Sequence, residues 1–565
     1  MGVHVWFQGF EESFGNFVES VRTLTISGLS MAEASAIHVA DLLTSLPKRT
    51  CDVITPWAHL SPDRTALVEA SGAWSYGELA SILSETKRWL IDLGVRPGDR
   101  VMLVCENCRS LVAILLALAS LDAWPVLASA RLSGREVDEI RDHCGARRVI
   151  YTTSVSVQAR DHAKRHSATA YETTAIGPLA VGSVNESAEL ESIHPDPAQR
   201  IAALIYTSGT TGAPKGVMLT HQNLLFVASV SSKIRSLTPN DRFYGVLPIS
   251  HAVGLSVVLL GSLLSGASLY LTPRFDPVGG LATLQKENLT VLLGAPSMFA
   301  LFVDYAKMRG MKSLHLPSLR IISSCGAPLQ PVLKAQVESL FGMVLHNGYG
   351  VTECSPNISQ AVVGERRTDT SVGKILPGVQ VKMVGSDQES VAAGEVGELW
   401  VRGPNVMKGY YRSPEETAAA VDPEGWFNTH DLARLQDGYL FIVGRTNELI
   451  IRHGENVYPT EVEAVLNAHP AVVRAAVMGR AVEGSQGGEE IIAYVQLAES
   501  SSTSERDLAQ HAAQNLAPHK RPSHILLVSS LPLTPTGKVN KSDIAKPIPL
   551  TNAPQAITLG SPKQS

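Results

Sequence analysis

Cysteine is scarce in this chain: six in 565 residues, at Cys51, Cys105, Cys108, Cys144, Cys325 and Cys354. So few in a long chain exclude a disulfide framework and point to a reducing, cytoplasmic setting. The one close pair, Cys105-Glu-Asn-Cys108, lacks the second pair that a four-cysteine zinc site needs. It follows an apolar run and reads as two small buried thiols rather than a redox couple. An excess of positive charge is missing as well. Lysine and arginine number 48 against 53 acidic residues, a net charge of −5, which leaves no basic footprint for nucleic acid. The N-terminus has no basic start followed by an apolar core, so no secretory signal is expected. Trp6 stands where a myristoylation signal wants Ser or Thr, and the last residues are not a peroxisomal address. Residues 1–48 precede the recognisable pattern, and Met31 offers an alternative start. One long stretch without charge, residues 253–271, is diluted by Gly and Ser and lacks flanking anchors. It is expected to form a buried helix at 255–264 and then a strand at 266–272, not a membrane span.

A chain of this length exceeds one core, so two or more domains are expected. Helical periodicity at 76–93 and 111–121 alternates with apolar strands at 99–104, 147–151, 290–294 and 319–323. That alternation predicts parallel sheets covered on both faces by helices. Residues 170–198, rich in Ala, Ser, Glu and Pro, read as a connecting loop. From about residue 379 the pattern changes to short strands separated by turns, which predicts a small all-β unit. A boundary follows Gly444-Arg445. Residues 446–545 then read as a smaller α+β unit whose helix opens at Pro459-Thr460. Residues 546–565 hold four prolines with little periodicity and read as a disordered tail.

The most informative segment is Tyr206-Thr-Ser-Gly-Thr-Thr-Gly-Ala-Pro-Lys-Gly216, which follows the apolar run 201–205. Gly209 and Gly212 let backbone N–H groups converge on an anion. Thr207, Ser208, Thr210 and Thr211 add hydroxyl donors, and Lys215 adds a positive charge. The spacing is a phosphate grip but not that of the ordinary P-loop. Further along come Asn347-Gly-Tyr-Gly-Val-Thr-Glu353, Trp426-Phe-Asn-Thr-His-Asp431, Gly444-Arg445, a Gly454-Glu-Asn456 segment running on to Glu463, and Pro535-Thr-Gly-Lys538. Glu353 suits a hard cation, and Asp431 suits a pair of hydroxyls.

In this order, across roughly residues 50 to 545, these segments resemble the adenylate-forming superfamily: acyl-CoA synthetases, adenylation domains of peptide synthetases, and luciferases. The resemblance implies an α/β fold. A large N-terminal domain (49–445) would hold two helix-covered, mostly parallel sheets and a small β-barrel subdomain. A small, mobile α+β C-terminal domain (446–545) would follow, between an N-terminal extension (1–48) and the tail (546–565). It implies ATP and Mg²⁺, with coenzyme A as co-substrate. The implied activity is an acid–CoA ligase that passes through an acyl-adenylate and releases AMP and pyrophosphate.

By the same resemblance, the loop from Thr207 to Lys215 holds the departing phosphates. Gly326, Ala327 and Pro328, with Asn347, Gly348, Tyr349 and Gly350, frame the adenine. Thr352 contacts phosphate, Glu353 holds the metal, and Asp431 with Arg445 holds the ribose. Lys538, on a mobile loop, bridges the carboxylate and the α-phosphate. His251 gates the acyl pocket, with a satisfied core histidine as the alternative reading, and Val253, Cys325, Gly348 and Val351 line it. Asn447 is the hinge, and Gly454, Glu455 and Asn456 come up beside the pantetheine arm. Two positions depart from the family: His430 where glycine is usual, and Asn447 where aspartate or lysine is usual. The apolar pocket residues favour a fatty or aromatic acid over an amino acid. Two alternatives stay open, a stand-alone enzyme loading an acyl-carrier protein and a catalytically silent adenylate-binding regulator. A homodimer also stays open.

Overall fold

Helix Arg109–Ser120 is apolar on every side, so it must be buried between layers. Every residue from Ser110 to Ala119 is buried. The helix packs on strand Trp124–Ser129 of one sheet and strand Thr65–Glu69 of another. Helix His221–Ile234 is buried in the same way from Asn223 to Ser232. The computed structural model describes residues 38–208, 214–452, 455–481, 489–498, 501–533 and 539–544.

The first sheet has nine strands. At its centre Thr65–Glu69, Ser268–Leu271, Arg242–Gly245, Val291–Gly294, Ile321–Ser324 and Leu345–Gly350 run parallel. Antiparallel strands close both edges. The second sheet has eight strands around a parallel centre of Arg148–Tyr151, Arg100–Cys105, Trp124–Ser129 and Ile201–Ser208. A third sheet joins Gln380–Val384, Gly397–Arg402, Phe427–Gln436 and Tyr439–Arg445. A smaller C-terminal unit holds the antiparallel pair Val472–Ala481 and Glu489–Leu497 with His524–Val528 parallel beside them. Helices Pro459–Asn467 and Glu505–Asn515 cover that sheet, and Val462, Leu466, Val477, Ile491, Val495 and Leu508 form a core of their own.

Four expectations are refined. The supposed loop 170–198 contains a hairpin, Thr169–Thr173 with Gly177–Val181, that extends the second sheet. Its outer strand is mostly exposed, so it carries no apolar signature. The expected small barrel is an open antiparallel sheet, whose outer strands Gln380–Val384 and Tyr439–Arg445 are not paired with each other. The charge-free stretch is a π-helix, Val253–Leu260, running into helix Gly261–Leu264 and strand Ser268–Leu271. Among the described residues no helix is long and apolar enough to cross a membrane. Finally, the end of the N-terminal extension folds with the main body. Helix Val39–Ser45 buries Leu42, and a Cβ on Gly378 would lie 2.8 Å from Val39.

Cys105 and Cys108 are both buried, and burial pushes both thiols up, Cys108 to about 12. A redox pair needs the opposite. The two residues between them do structural work. Glu106 is buried against Arg274 at 2.9 Å and Arg131 at 3.4 Å, and Asn107 holds backbone groups of Gly245, Leu247 and Ile249.

Two buried histidines make the fold acid-sensitive. Burial holds His221 down to about 3 and His346 to about 4. An unfolded histidine titrates near 6.5. Below that pH the unfolded chain takes up protons the folded chain refuses, so stability present above pH 6.5 is lost as pH falls. The loss is about 1.4 kcal/mol per pH unit per histidine, or about 2 kcal/mol each at pH 5. The urea midpoint should therefore drop between pH 7 and pH 5, and His221→Asn should flatten that slope. An unchanged slope in the variant would remove His221 from the account.

Candidate functional site

In open α/β sheets, ligands bind beyond the carboxyl ends of the strands. The sequence-identified residues collect there in the first sheet. Strand Arg242–Gly245 leads to the turn holding His251, strand Ile321–Ser324 leads to Cys325, Gly326, Ala327 and Pro328, and strand Leu345–Gly350 leads to Val351, Thr352 and Glu353. Ser324 pairs in register with Asn347, which brings the Cys325 turn beside Gly348. Val253, Cys325, Tyr349 and Val351 pack, partly buried, on one apolar cluster. Gly326 has φ +83°, and a side chain there would meet nothing within 4 Å, so the turn borders open space. Gly350 is required for another reason: a Cβ would lie 2.0 Å from the Pro356 carbonyl. Asn107 pins the approach to His251. Its Nδ2 donates to the carbonyls of Gly245 and Leu247 at 3.0 and 2.9 Å, and its Oδ1 accepts from the N–H of Ile249 at 2.8 Å.

In the segment read from the sequence as a phosphate grip, strands Ile201–Ser208 and Pro214–Thr220 pair antiparallel, with Thr207 directly across from Lys215. Gly209, Thr210, Thr211 and Gly212 lie outside the described residues. Strand Gly409–Tyr410 adds to the hairpin beside Val217 and Met218. This strand carries a tyrosine central to the site. Lys215 Nζ lies over the Tyr410 ring, 5.3 Å from its centroid, and pairs with Glu416 at 2.9 Å. The Tyr410 hydroxyl donates to Glu353 Oε1 at 3.0 Å. Burial raises the pKa of the Glu353 carboxyl. One tyrosine thus stands between the cation and the carboxylate.

A second constellation comes from strand register. Phe427–Gln436 and Tyr439–Arg445 form a hairpin in which Asp431 faces Arg445. Arg445 Nε donates to Asp431 Oδ1 at 2.8 Å, and the Tyr349 hydroxyl donates to Oδ2. Asp431 is buried while Arg445 is half-exposed. Burial and the nearby Asp431 charge push the Tyr349 hydroxyl far up, so it stays a donor. The unusual His430 keeps the backbone a glycine would give, with φ +55°. His is among the side chains that tolerate this region better than most. The His430 ring turns to Glu398 at 3.4 Å, not to Asp431, and is 64 % exposed. We expect His430→Gly to leave the KM for ATP within about twofold, since that weak exposed pair carries little energy. A larger change in steady-state kinetics would assign the ring a nucleotide contact.

Arg445 is followed by a tight turn, Thr446–Glu448, on which Asn447 is exposed. Thr446 Oγ1 donates to Glu398 of the main body at 2.8 Å. On the other side of Asn447, Glu448 pairs with Lys541 of the small unit at 2.6 Å, and Lys541 also pairs with Glu463 at 3.0 Å. Glu455 and Asn456 are exposed on strand Glu455–Val457 and, among the described residues, make no hydrogen bond to the strand-end turns. Gly454 and Lys538 lie outside the described residues. Sequence reading missed Asn107, Tyr410 and Glu416. The signal for the last two was Gly409-Tyr-Tyr-Arg-Ser-Pro-Glu-Glu416, a short strand running into an acidic helix start.

A profile described as AMP-binding enzyme matches residues 54–411, and one described as AMP-binding enzyme C-terminal domain matches residues 461–538. The feruloyl-CoA synthase of Amycolatopsis sp. is 33% identical over 501 residues, covering 86% of this chain and 97% of that protein. The 2-succinylbenzoate–CoA ligase of Geobacillus kaustophilus is 32% identical over 497 residues, covering 87% and 97%. The crystal structure of ATP-bound MatB from Rhodopseudomonas palustris superposes with a TM-score of 0.76 at 27% identity, over 87% of this chain and 98% of that chain. The two profiles fall one in each unit, the relatives cover most of the chain, and the chain belongs to the AMP-binding enzymes of the adenylate-forming superfamily.

Proposed function

We propose that the protein is an ATP-dependent acid–CoA ligase acting on a fatty or aromatic carboxylic acid. The observation that carries the reading is the line Lys215–Tyr410–Glu353. It sets an ammonium over the face of one ring and a buried carboxylate at that ring's hydroxyl, close to the strands that hold Tyr349 and Asp431. A carboxylate resists attack by a thiol because its charge repels nucleophiles and oxide leaves poorly. Joining it to AMP supplies a good leaving group, so the site must first hold ATP against the acid.

In this reading Tyr349 stacks on adenine, Asp431 accepts from the ribose hydroxyls, and Lys215 with Thr207 and Thr352 holds the phosphates that depart. Gly326, with open space beside it, leaves room for the planar base. The Glu353 carboxylate is an oxygen donor suited to Mg²⁺. Among the described residues no group of three or more His, Cys, Asp or Glu could hold a metal ion. Mg²⁺ bound there would neutralise charge on the phosphates. His251, Val253, Cys325, Gly348 and Val351 line the acyl pocket. None of them is acidic, which leaves an amino acid's ammonium without a partner.

The pivot between half-reactions is Asn447. Thr446 is tied to the body through Glu398, and Glu448 is tied to the small unit through Lys541, so rotation concentrates at the residue between them. The domain boundary then falls after Arg445, and Glu455 and Asn456 swing in with the small unit.

The test is AMP release from ATP and Mg²⁺ over short, medium, long and aromatic carboxylates, with and without CoA. Strong CoA-dependent release with one acid class is expected. Acid-dependent pyrophosphate exchange that CoA does not stimulate would transfer the reading to carrier-protein loading.

A further inference from the structure

Lys215 does not point freely into solvent. Its ammonium is held at 2.9 Å by Glu416, above the face of Tyr410. Three neighbouring pieces of chain set this contact. Lys215 lies on strand Pro214–Thr220, Tyr410 lies on the strand paired with it, and Glu416 lies in the first turn of helix Pro414–Ala420. The helix is strapped to that strand. Thr417 Oγ1 accepts from the N–H of Tyr410 at 2.8 Å and donates to the carbonyl of Ser413 at 2.9 Å. Gly409, φ +144°, lets the two come close, since a Cβ there would lie 2.8 Å from Thr417 Cγ2. The carboxylate is therefore delivered to Lys215 by the fold and is not a chance surface neighbour.

We propose that Glu416 is a positioning residue that competes with phosphate for Lys215: it docks the ammonium while the phosphate site is empty, releases it to ATP, and recaptures it as pyrophosphate leaves. The inference rests on reading Lys215 as the phosphate-gripping lysine. An undocked lysine would have to lose its rotamer freedom when ATP arrives. Docking on Glu416 and Tyr410 removes part of that freedom beforehand and keeps the ammonium at the mouth of the site. The cost is a rival anion. The pair is partly open to water, with Lys215 at 20% and Glu416 at 38% side-chain exposure. Such a pair is weak enough for phosphates to displace. Glu353 meets Tyr410 at its hydroxyl and not at the ring face over which Lys215 lies, so its hydrogen bond is kept while Lys215 changes partners.

The test is calorimetric titration of wild type, Glu416→Gln, Lys215→Met and the double variant with magnesium pyrophosphate and with MgATP. Removing the rival anion should lower the Kd for pyrophosphate by up to about fivefold, the upper end of the range expected for a partly exposed ion pair. Lys215→Met should weaken binding, and the double variant should bind like Lys215→Met, because Glu416 acts only through that lysine. Glu416→Ala serves as a second variant should the glutamine pair with Lys215. Unchanged or weaker pyrophosphate binding in both Glu416 variants overturns the proposal. So does tightening that persists in the Lys215→Met background, or pyrophosphate binding too weak to measure in wild type. Because the readout is binding, it stands apart from turnover. A wild type that binds as expected but activates no acid in the panel sinks the ligase reading and leaves the role of Glu416 intact.

Discussion

Lys538→Ala is expected to slow acyl-adenylate formation about a hundredfold or more, the usual effect of losing one preorganised charge aimed at a transition state. Negative charge rearranges at the α-phosphate as the carboxylate attacks, and an ammonium placed there is worth more in the transition state than in the bound substrates. Conversion of supplied acyl-adenylate to the thioester needs no such charge, so that half-reaction should survive. The residues flanking the Lys538 segment are well fastened. Leu533 and Val539 form an antiparallel bridge, and the N–H of Asn540 donates to the carbonyl of Pro532 at 2.8 Å. Lys541, the next residue, is anchored to Glu448, which follows Asn447, and to Glu463. Under the proposed pivot at Asn447, the base of the segment would move with the small unit. Rapid-quench measurement of the two half-reactions decides the matter. If both rates fell together, Lys538 would be supporting the fold or the lid and not the adenylation step.

The parts of the fold legible in the sequence are those in which one short window holds the whole signal. Helix Tyr76–Asp92 announces itself by its period and by a capping box in which Ser75 accepts from the N–H of Glu78. Helix Arg109–Ser120 announces itself by an unbroken apolar run. Strand Ile201–Ser208 was legible from the contiguous apolar run 201–205. Less legible were features made by partners far apart in the chain. Glu416 lies two hundred residues beyond Lys215, and only strand Gly409–Tyr410, added to the edge of the hairpin, brings them together. Asn107 sat inside a cysteine motif that drew attention to the thiols, whereas the working atoms were the amide between them. The hairpin within 170–198 was lost because an edge strand facing water needs no apolar alternation. Asp431 and Arg445 were found as separate motifs. That they form one unit follows from the register of their two strands, which no short window encodes.

Asp431, Arg445 and the Tyr349 hydroxyl form one hydrogen-bonded unit. Asp431 already accepts from Arg445 and from the Tyr349 hydroxyl, one on each oxygen. A carboxylate offers about four acceptor positions, so two remain for the two hydroxyls of a ribose. Each is a charge-assisted hydrogen bond worth roughly 1.5–3 kcal/mol. Asp431→Ala should therefore raise the KM for ATP on the order of a hundredfold or more, through loss of both together. Stability should suffer less than nucleotide binding does, because half-exposed Arg445 can turn to water once its partner is gone. The buried Tyr349 hydroxyl is the group left with a desolvation cost. Simple loss of activity would not separate a ribose contact from a disturbed site, but 2′-deoxy-ATP and 3′-deoxy-ATP do. In wild type each missing hydroxyl should weaken binding by about tenfold or more. In Asp431→Ala the deoxynucleotides should bind about as well as ATP itself, because the partner of the missing hydroxyl is already absent. Pyrophosphate, which has no ribose, should bind both proteins alike. A variant that still prefers ATP over its deoxy forms by the wild-type factor would move the ribose away from Asp431, and leave the Asp431–Arg445–Tyr349 unit as a brace between the nucleotide strand and the hairpin that ends at the hinge.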